Sequence, residues 1–122
     1  IAAARANQRA ARFKGAVEWI CADMRTLDPG EDGFDRLVAN PAWGEFLDDH
    51  DANDELYADL LTAAARMAGD EGRFVVLTHD IRRFERLLGD QGDWEPVDVH
   101  RFFQKGHHPR AYLLHRTPAR VP

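Results

Sequence analysis

The chain predicts an α/β domain: a mostly parallel sheet with helices on both faces and a closing antiparallel hairpin. Apolar runs suited to covered strands alternate with stretches of helical periodicity, which points to βα units. Glycine, proline and aspartate turns punctuate those runs. The last two strand-like segments are joined by the short turn Lys105-Gly106-His107-His108-Pro109.

Residues 1–13 read as a helix, with Ala2, Ala6, Ala10 and Phe13 on one stripe, arginines opposite, and Gly15 as the stop. Residues 16–22 are apolar at nearly every position, as expected of a strand covered on both faces and ending at Asp23. A loop with an Asp-Pro-Gly turn follows over 25–33. Phe34–Ala39 is the next strand, and it runs into Asn40-Pro41-Ala42-Trp43-Gly44. After an acidic loop, a helix is expected over 52–68, with Leu56, Leu60, Ala64 and Met67 on one face. Gly69 and Gly72 bracket a tight connection into a buried strand over 73–78. Asp80 caps a short helix ending at Leu88. Strands over 94–103 and 110–116 form the hairpin.

With 122 residues, the chain allows one domain and a workable core. No apolar run approaches the ~18 residues of a membrane span. The single cysteine, Cys21, excludes an intrachain disulfide, fits a reducing cytoplasm and is most simply a small buried side chain. Net charge is −5, which by itself argues against nucleic-acid binding. Its distribution argues the other way: from Val99 onward there are five basic residues and no acid, leaving −10 for residues 1–98. A phosphate-contacting edge and plain solvated faces fit this pattern equally.

Chemistry concentrates at the Asn-Pro turn. Proline fixes φ and has no N–H for a ladder, so the chain must leave the sheet at Pro41. The Asn40 carboxamide and the turn carbonyls then project from the carboxyl end of a strand, where open α/β sheets bind ligands. Two carbonyl oxygens can accept both N–H bonds of an amino group on a planar ring, and the Trp43 indole can stack on that ring. An ordinary strand-ending turn is the plain alternative, and for Trp43 a core aromatic. Asp48-Asp49-His50-Asp51 reads as a solvated acidic loop rather than a metal site, since adjacent residues rarely converge on one ion. Nucleophile–base pairs and zinc spacings are absent from the sequence.

These motifs together carry a resemblance. A strand ending in Asp23, the Asn40–Gly44 turn and a closing hairpin resemble the class I S-adenosylmethionine-dependent methyltransferases that modify exocyclic amino groups. Their signature is Asn/Asp-Pro-Pro-Tyr/Phe/Trp. More narrowly, the chain is similar to the catalytic domain of the THUMP-domain RNA guanine-N2 methyltransferases. It shares the helix with a Leu-Tyr pair (Leu56-Tyr57), the strand Gly72-Arg73-Phe74-Val75-Val76-Leu77-Thr78, and the Gly-x-x-Pro-Arg-x-Tyr-Leu-Leu ending from Gly106 to Leu114. Ala42 stands where the family usually has proline. None of the nine glycines forms Gly-x-Gly, so the family's cofactor loop is missing.

The resemblance implies a Rossmann-like fold that lacks its first strands, residues 1–122 being the C-terminal part of one catalytic domain. It implies S-adenosylmethionine as cofactor, held by Asp23 at the adenine amino group, the Met24 backbone N–H and Asn40. It implies catalysis by Asn40, Pro41 and Trp43, and substrate contacts from Trp43, Gly44, Lys105, His107 and Arg110, with no metal. The substrate would be a base amino group of RNA, the guanine 2-amino group of tRNA first. Alternatives are an adenine amino group of DNA or ribosomal RNA, or a non-catalytic RNA-binding module. The rest of the domain and an RNA-capturing domain would lie upstream, and the setting would be cytoplasmic.

Overall fold

The strict alternation of buried and open positions along Arg73–Thr78 sets the architecture. In the computed structural model, Phe74, Val76 and Thr78 are fully buried, while Arg73, Val75 and Leu77 are not. The structure describes residues 1–41, 50–103 and 105–117, and for 50–52 the backbone only.

The elements are α1 (Ala2–Ala10), β1 (Phe34–Ala39), α2 (His50–Met67), β2 (Ala68–Thr78), α3 (Ile81–Gly89), β3 (Trp94–Arg101) and β4 (Arg110–Arg116). The sheet order is β1-β2-β4-β3, with β1 parallel to β2 and β4 antiparallel to both its neighbours. The hairpin therefore folds its last strand inward, and β4 rather than β3 pairs with β2. Between Phe34↔Ala68 and Arg36↔Arg73 the register of β2 slips against β1. This is the connection that Gly69 and Gly72 lead us to expect, absorbed here into a continuous strand.

Gly33 makes that junction possible. Its φ is +70°, and a Cβ there would lie 2.8 Å from the Gly69 nitrogen and 2.9 Å from the Met67 carbonyl oxygen. Only glycine satisfies both the left-handed backbone and the close approach.

The core lies on one face of the sheet, between β2, β4 and the helices α2 and α3. Tyr57 and Leu61 from α2, Phe84 and Leu88 from α3, and Trp94, Tyr112 and Leu114 from the strands form one cluster. Ring contacts link them: Tyr57 meets Phe84 edge-on at 5.9 Å, while Phe84–Tyr112 at 4.8 Å and Phe74–Trp94 at 5.4 Å are tilted pairs. Such pairs add packing specificity beyond the area they bury. The Trp94 indole N–H donates to the Leu61 carbonyl at 3.0 Å, so its polar atom is satisfied in the core. Ion pairs lock α2 to α3: the Asp54 carboxylate lies 2.7 Å from a guanidinium nitrogen of Arg83 and 2.7 Å from one of Arg86.

Several expectations fail against these coordinates. Residues 16–22 form no strand and are exposed throughout, with Ile20 at 51%. An apolar segment becomes a strand only when a ladder partner takes its backbone groups, and β1 is paired on one side only among the described residues. Cys21 is accordingly exposed, not buried. Helices do not cover both faces: α1 buries no residue, and Val38 on the opposite face of the sheet is 79% exposed. Gly15 does not cap α1, because the helix ends at Ala11 and Arg12 takes the left-handed turn with φ 55°. Asp80 is the N-cap of α3, but its carboxylate binds the Arg83 guanidinium instead of a helix N–H. No described helix is long and apolar enough to cross a membrane.

Candidate active site

Asn40 and Pro41 follow directly on β1, at the carboxyl end of the one parallel pair in the sheet. Ala39 lies opposite Val76, so the two residues sit alongside the last turn of β2, near Leu77 and Thr78. Asn40 is exposed and Pro41 half-buried. Trp43 and Gly44, with Ala42, lie outside the described residues, as do Asp48 and Asp49.

The end of β2 is held rigidly. The hydroxyls of Tyr57 and Thr78 are 2.7 Å apart in the core, and Thr78 Oγ1 also accepts the Asp80 backbone N–H at 3.0 Å. Burial pushes the Tyr57 phenol above its ordinary pKa, so it stays neutral and available for this bond. The Leu56-Tyr57 pair thus divides its labour: Tyr57 anchors α2 to the rim strand, and Leu56 faces a surface groove.

That groove, about 340 Å³, is lined by Asp23, Met24, Arg25, Glu55, Leu56 and Asp59. Sequence reasoning supplied Asp23 and Met24 but missed Glu55 and Asp59, which stand four apart and so share one helix face. Asn40 is not among its described lining residues, so the groove and the Asn-Pro turn are separate places in this structure. Asp23 is engaged by Arg25, whose Nε and Nη2 donate to its two oxygens at 3.0 and 2.7 Å. The Arg25 backbone N–H adds a bond at 2.9 Å. These bonds, the side-chain pair foremost, hold the Asp23 carboxyl down to about 2. Arg66, in the last turn of α2, donates to the carbonyls of Met24, at 2.8 Å, and of Leu27. It ties the 24–27 segment to the helix and fixes the groove's wall.

Of the remaining sequence candidates, Lys105, His107 and Arg110 all belong to the β3–β4 hairpin. Arg110 pairs with Thr78 across the sheet, so the hairpin turn emerges beside the same rim as Asn40. Lys105 is exposed in a left-handed turn (φ 47°) with Gly106 (φ 82°). His107 packs edge-to-face on His79, with ring centroids 5.4 Å apart. The Arg110 guanidinium donates to Glu85 Oε1 at 3.3 Å, an acceptor it shares with the Tyr112 hydroxyl at 2.8 Å. Among the described residues no cluster could hold a metal ion.

Residues 1–110 match the family model of the UPF0020 (RMKL-like) methyltransferase domain. The chain belongs to that family. No curated protein matches it. Among solved structures, it is similar to TrmN from Thermus thermophilus at 26% identity and a TM-score of 0.76, covering 93% of this chain and 32% of that one. SMU.472, a methyltransferase complexed with SAH, is 23% identical with a TM-score of 0.70, over 98% of this chain and 29% of that one. A methylase from Clostridium difficile 630 is 22% identical with a TM-score of 0.72, over 100% and 30%. The fold is the Rossmann-like one of S-adenosylmethionine-dependent methyltransferases. The chain spans about a third of the length of these solved structures.

The residues present fit one side of that cofactor. Asp23 puts on the groove wall a carboxylate, an acceptor of the kind an adenine amino group requires. The acids Glu55 and Asp59 beside it favour a cationic ligand.

Proposed function

We propose that the chain is the C-terminal part of a catalytic domain that methylates an exocyclic amino group of an RNA base, the guanine 2-amino group of tRNA foremost. The observation that carries this reading is the Asn40-Pro41 turn, exposed on the carboxyl rim of the parallel pair β1–β2. S-adenosylmethionine, when bound, supplies a methyl group activated by its sulfonium charge.

The chain's own residues act on the acceptor. A nucleobase amine is a weak nucleophile because its lone pair is delocalised into the ring. Asn40 Oδ1 and the Pro41 carbonyl accept the two amine hydrogens, turning the nitrogen toward tetrahedral geometry and aiming its lone pair outward. Their contribution is orientation, together with stabilisation of the positive charge that develops on nitrogen. Trp43 stacks on the extruded base for roughly 1–3 kcal/mol. Gly44, Lys105, His107 and Arg110 contact the substrate. Asp23 and the Met24 N–H hold the cofactor, with a minor contact from Asn40.

The resemblance of the Gly106–Leu114 ending to the RNA guanine-N2 enzymes supports RNA over DNA. A cytoplasmic setting suits the exposed thiol of Cys21, which stays reduced there.

The test is transfer of labelled methyl from S-adenosylmethionine to unmodified tRNA by the whole protein, followed by nucleoside analysis. Asn40→Ala should abolish transfer and leave cofactor binding, measured by calorimetry, nearly intact. Loss of both would make Asn40 structural. Label in an adenine amino group would replace guanine as the target, and binding of RNA without transfer would leave only a binding module.

A further inference from the structure

The end of the β3–β4 hairpin exposes two consecutive aromatic rings that the amine-methylation reading does not use. Phe102 is 52% exposed and Phe103 74%, the latter the most exposed aromatic side chain in the described residues. A single open apolar residue is ordinary. Here, however, the pair stands among cations: Arg101 precedes it, Lys105 follows, and no acid occurs from Val99 to Pro122.

The hairpin end is also built to hold its shape. The Phe102 backbone N–H donates to the Pro109 carbonyl at 2.9 Å, closing the base of the turn. Lys105 and Gly106 take successive left-handed conformations. The Phe103 ring meets His108 edge-to-face, with centroids 5.1 Å apart and planes at 64°, which leaves the Phe103 face open. The two rings follow β3, two strands beyond β2 and three beyond β1, so they stand about 14 Å from the Asn40 rim at ordinary strand spacing.

We infer that Phe103, supported by His108 and flanked by Phe102, is a stacking platform for an unpaired RNA base next to the one that is modified. Lys105 and Arg101 hold the adjoining phosphates. This rests on the RNA reading above and adds to it a positioning surface on the hairpin. Stacking on an open ring face together with a cation for the backbone is how single strands are gripped without sequence preference. Charge decides for nucleic acid over a protein partner: the exposed rings sit in a stretch whose only formal charges are positive.

The experiment is fluorescence anisotropy of a labelled single-stranded oligoribonucleotide of roughly ten nucleotides, titrated with the intact chain at fixed salt. Phe103→Ala should weaken binding about 5- to 100-fold, the range that loss of one stacked base spans. Phe103→Trp should restore it, and Phe103→Leu, equally apolar but without a π face, should not. Lys105→Gln should reduce the slope of log affinity against log salt by about 0.7, one phosphate contact on a single strand. Chemical-denaturation midpoints should not move, because the Phe103 side chain is outside the core.

Wild-type affinity in Phe103→Ala, or full recovery with leucine, overturns the inference, and so does absence of RNA binding by the wild-type chain. Loss of self-association in Phe103→Ala, seen by sedimentation with RNA binding intact, assigns the rings to a protein contact and also overturns it. Methyl transfer distinguishes the two readings. Phe103-dependent RNA binding without transfer sinks the catalytic reading alone, and transfer with Phe103-independent binding sinks this one alone.

Discussion

The Tyr57 and Thr78 hydroxyls meet at 2.7 Å with both residues fully buried, and this bond joins α2 to the carboxyl end of β2. Everything at the rim depends on that joint. Thr78 ends the strand that flanks Pro41, and its Oγ1 also takes the N–H of Asp80, which opens α3.

Removing the joint from one side or the other should therefore have unequal costs. Thr78→Val leaves the Tyr57 hydroxyl without its partner and the Asp80 N–H without its acceptor, and should cost about 2–3 kcal/mol, given ~1–3 for each orphaned buried group. Tyr57→Phe leaves Thr78 still bonded to Asp80 and should cost about 1 kcal/mol. Denaturant unfolding of both variants, with Thr78→Ser as the hydroxyl-retaining control, measures the difference.

Gly33 and Gly30 offer a second contrast. Both have positive φ, 70° and 86°, but a Cβ at Gly30 meets nothing within 4 Å while one at Gly33 meets Gly69 and Met67 backbone. Gly30→Ala should lose only the left-handed penalty, about 1–2 kcal/mol. Gly33→Ala should lose clearly more and shift the β1–β2 register. Thermal melts, with amide exchange across Phe34–Ala39, test this.

The two tyrosines make an alkaline prediction. Tyr112 is pushed up to about 12, by burial first and then by its bond to the Glu85 carboxylate. Burial also raises Tyr57. A raised folded pKa means that the stabilisation is complete below the unfolded value, about 10, and is lost as pH rises through the folded one. Absorbance at tyrosinate wavelengths should show no step near pH 10 while the chain is folded, and unfolding should accompany the step above it. Glu85→Gln should lower the Tyr112 midpoint.

At the acid end, the Asp23 carboxyl should titrate at about 2, because Arg25 donates to both of its oxygens. The sign is the reverse of the tyrosine case: the stabilisation is complete above the ordinary carboxyl value of 3.8 and is lost as pH falls through about 2. Carboxyl-carbon NMR shifts should report that midpoint, and Arg25→Ala should return it toward 3.8. An unchanged midpoint in the variant would mean that another donor holds the carboxylate.

How much was legible in advance follows from where the information sits. β1 and β4 appear with the expected bounds because period-two burial and the flanking Asn-Pro and Pro-Arg steps are local signals. α2 and α3 fall within two residues of expectation at each end for the same reason. The segment 16–22 reads as a strand by composition yet stays open, because strand formation depends on a neighbour that composition does not encode. The groove was half legible: Asp23 ends an apolar run, but nothing in that run says that Glu55 and Asp59 will face it, or that Arg25 will occupy its oxygens.

By itself, then, the sequence determined β1, β4, α2 and α3, the Asn-Pro step that follows β1, and the basic, aromatic hairpin end, all of which arise from residues adjacent in the chain. Only the tertiary structure decided that β4 lies between β2 and β3, that Tyr57 reaches Thr78, and that Arg66 pins the 24–27 segment to α2. Those contacts join residues far apart in the chain, and their strength comes from burial and hydrogen-bond geometry that exist only once the layers have packed.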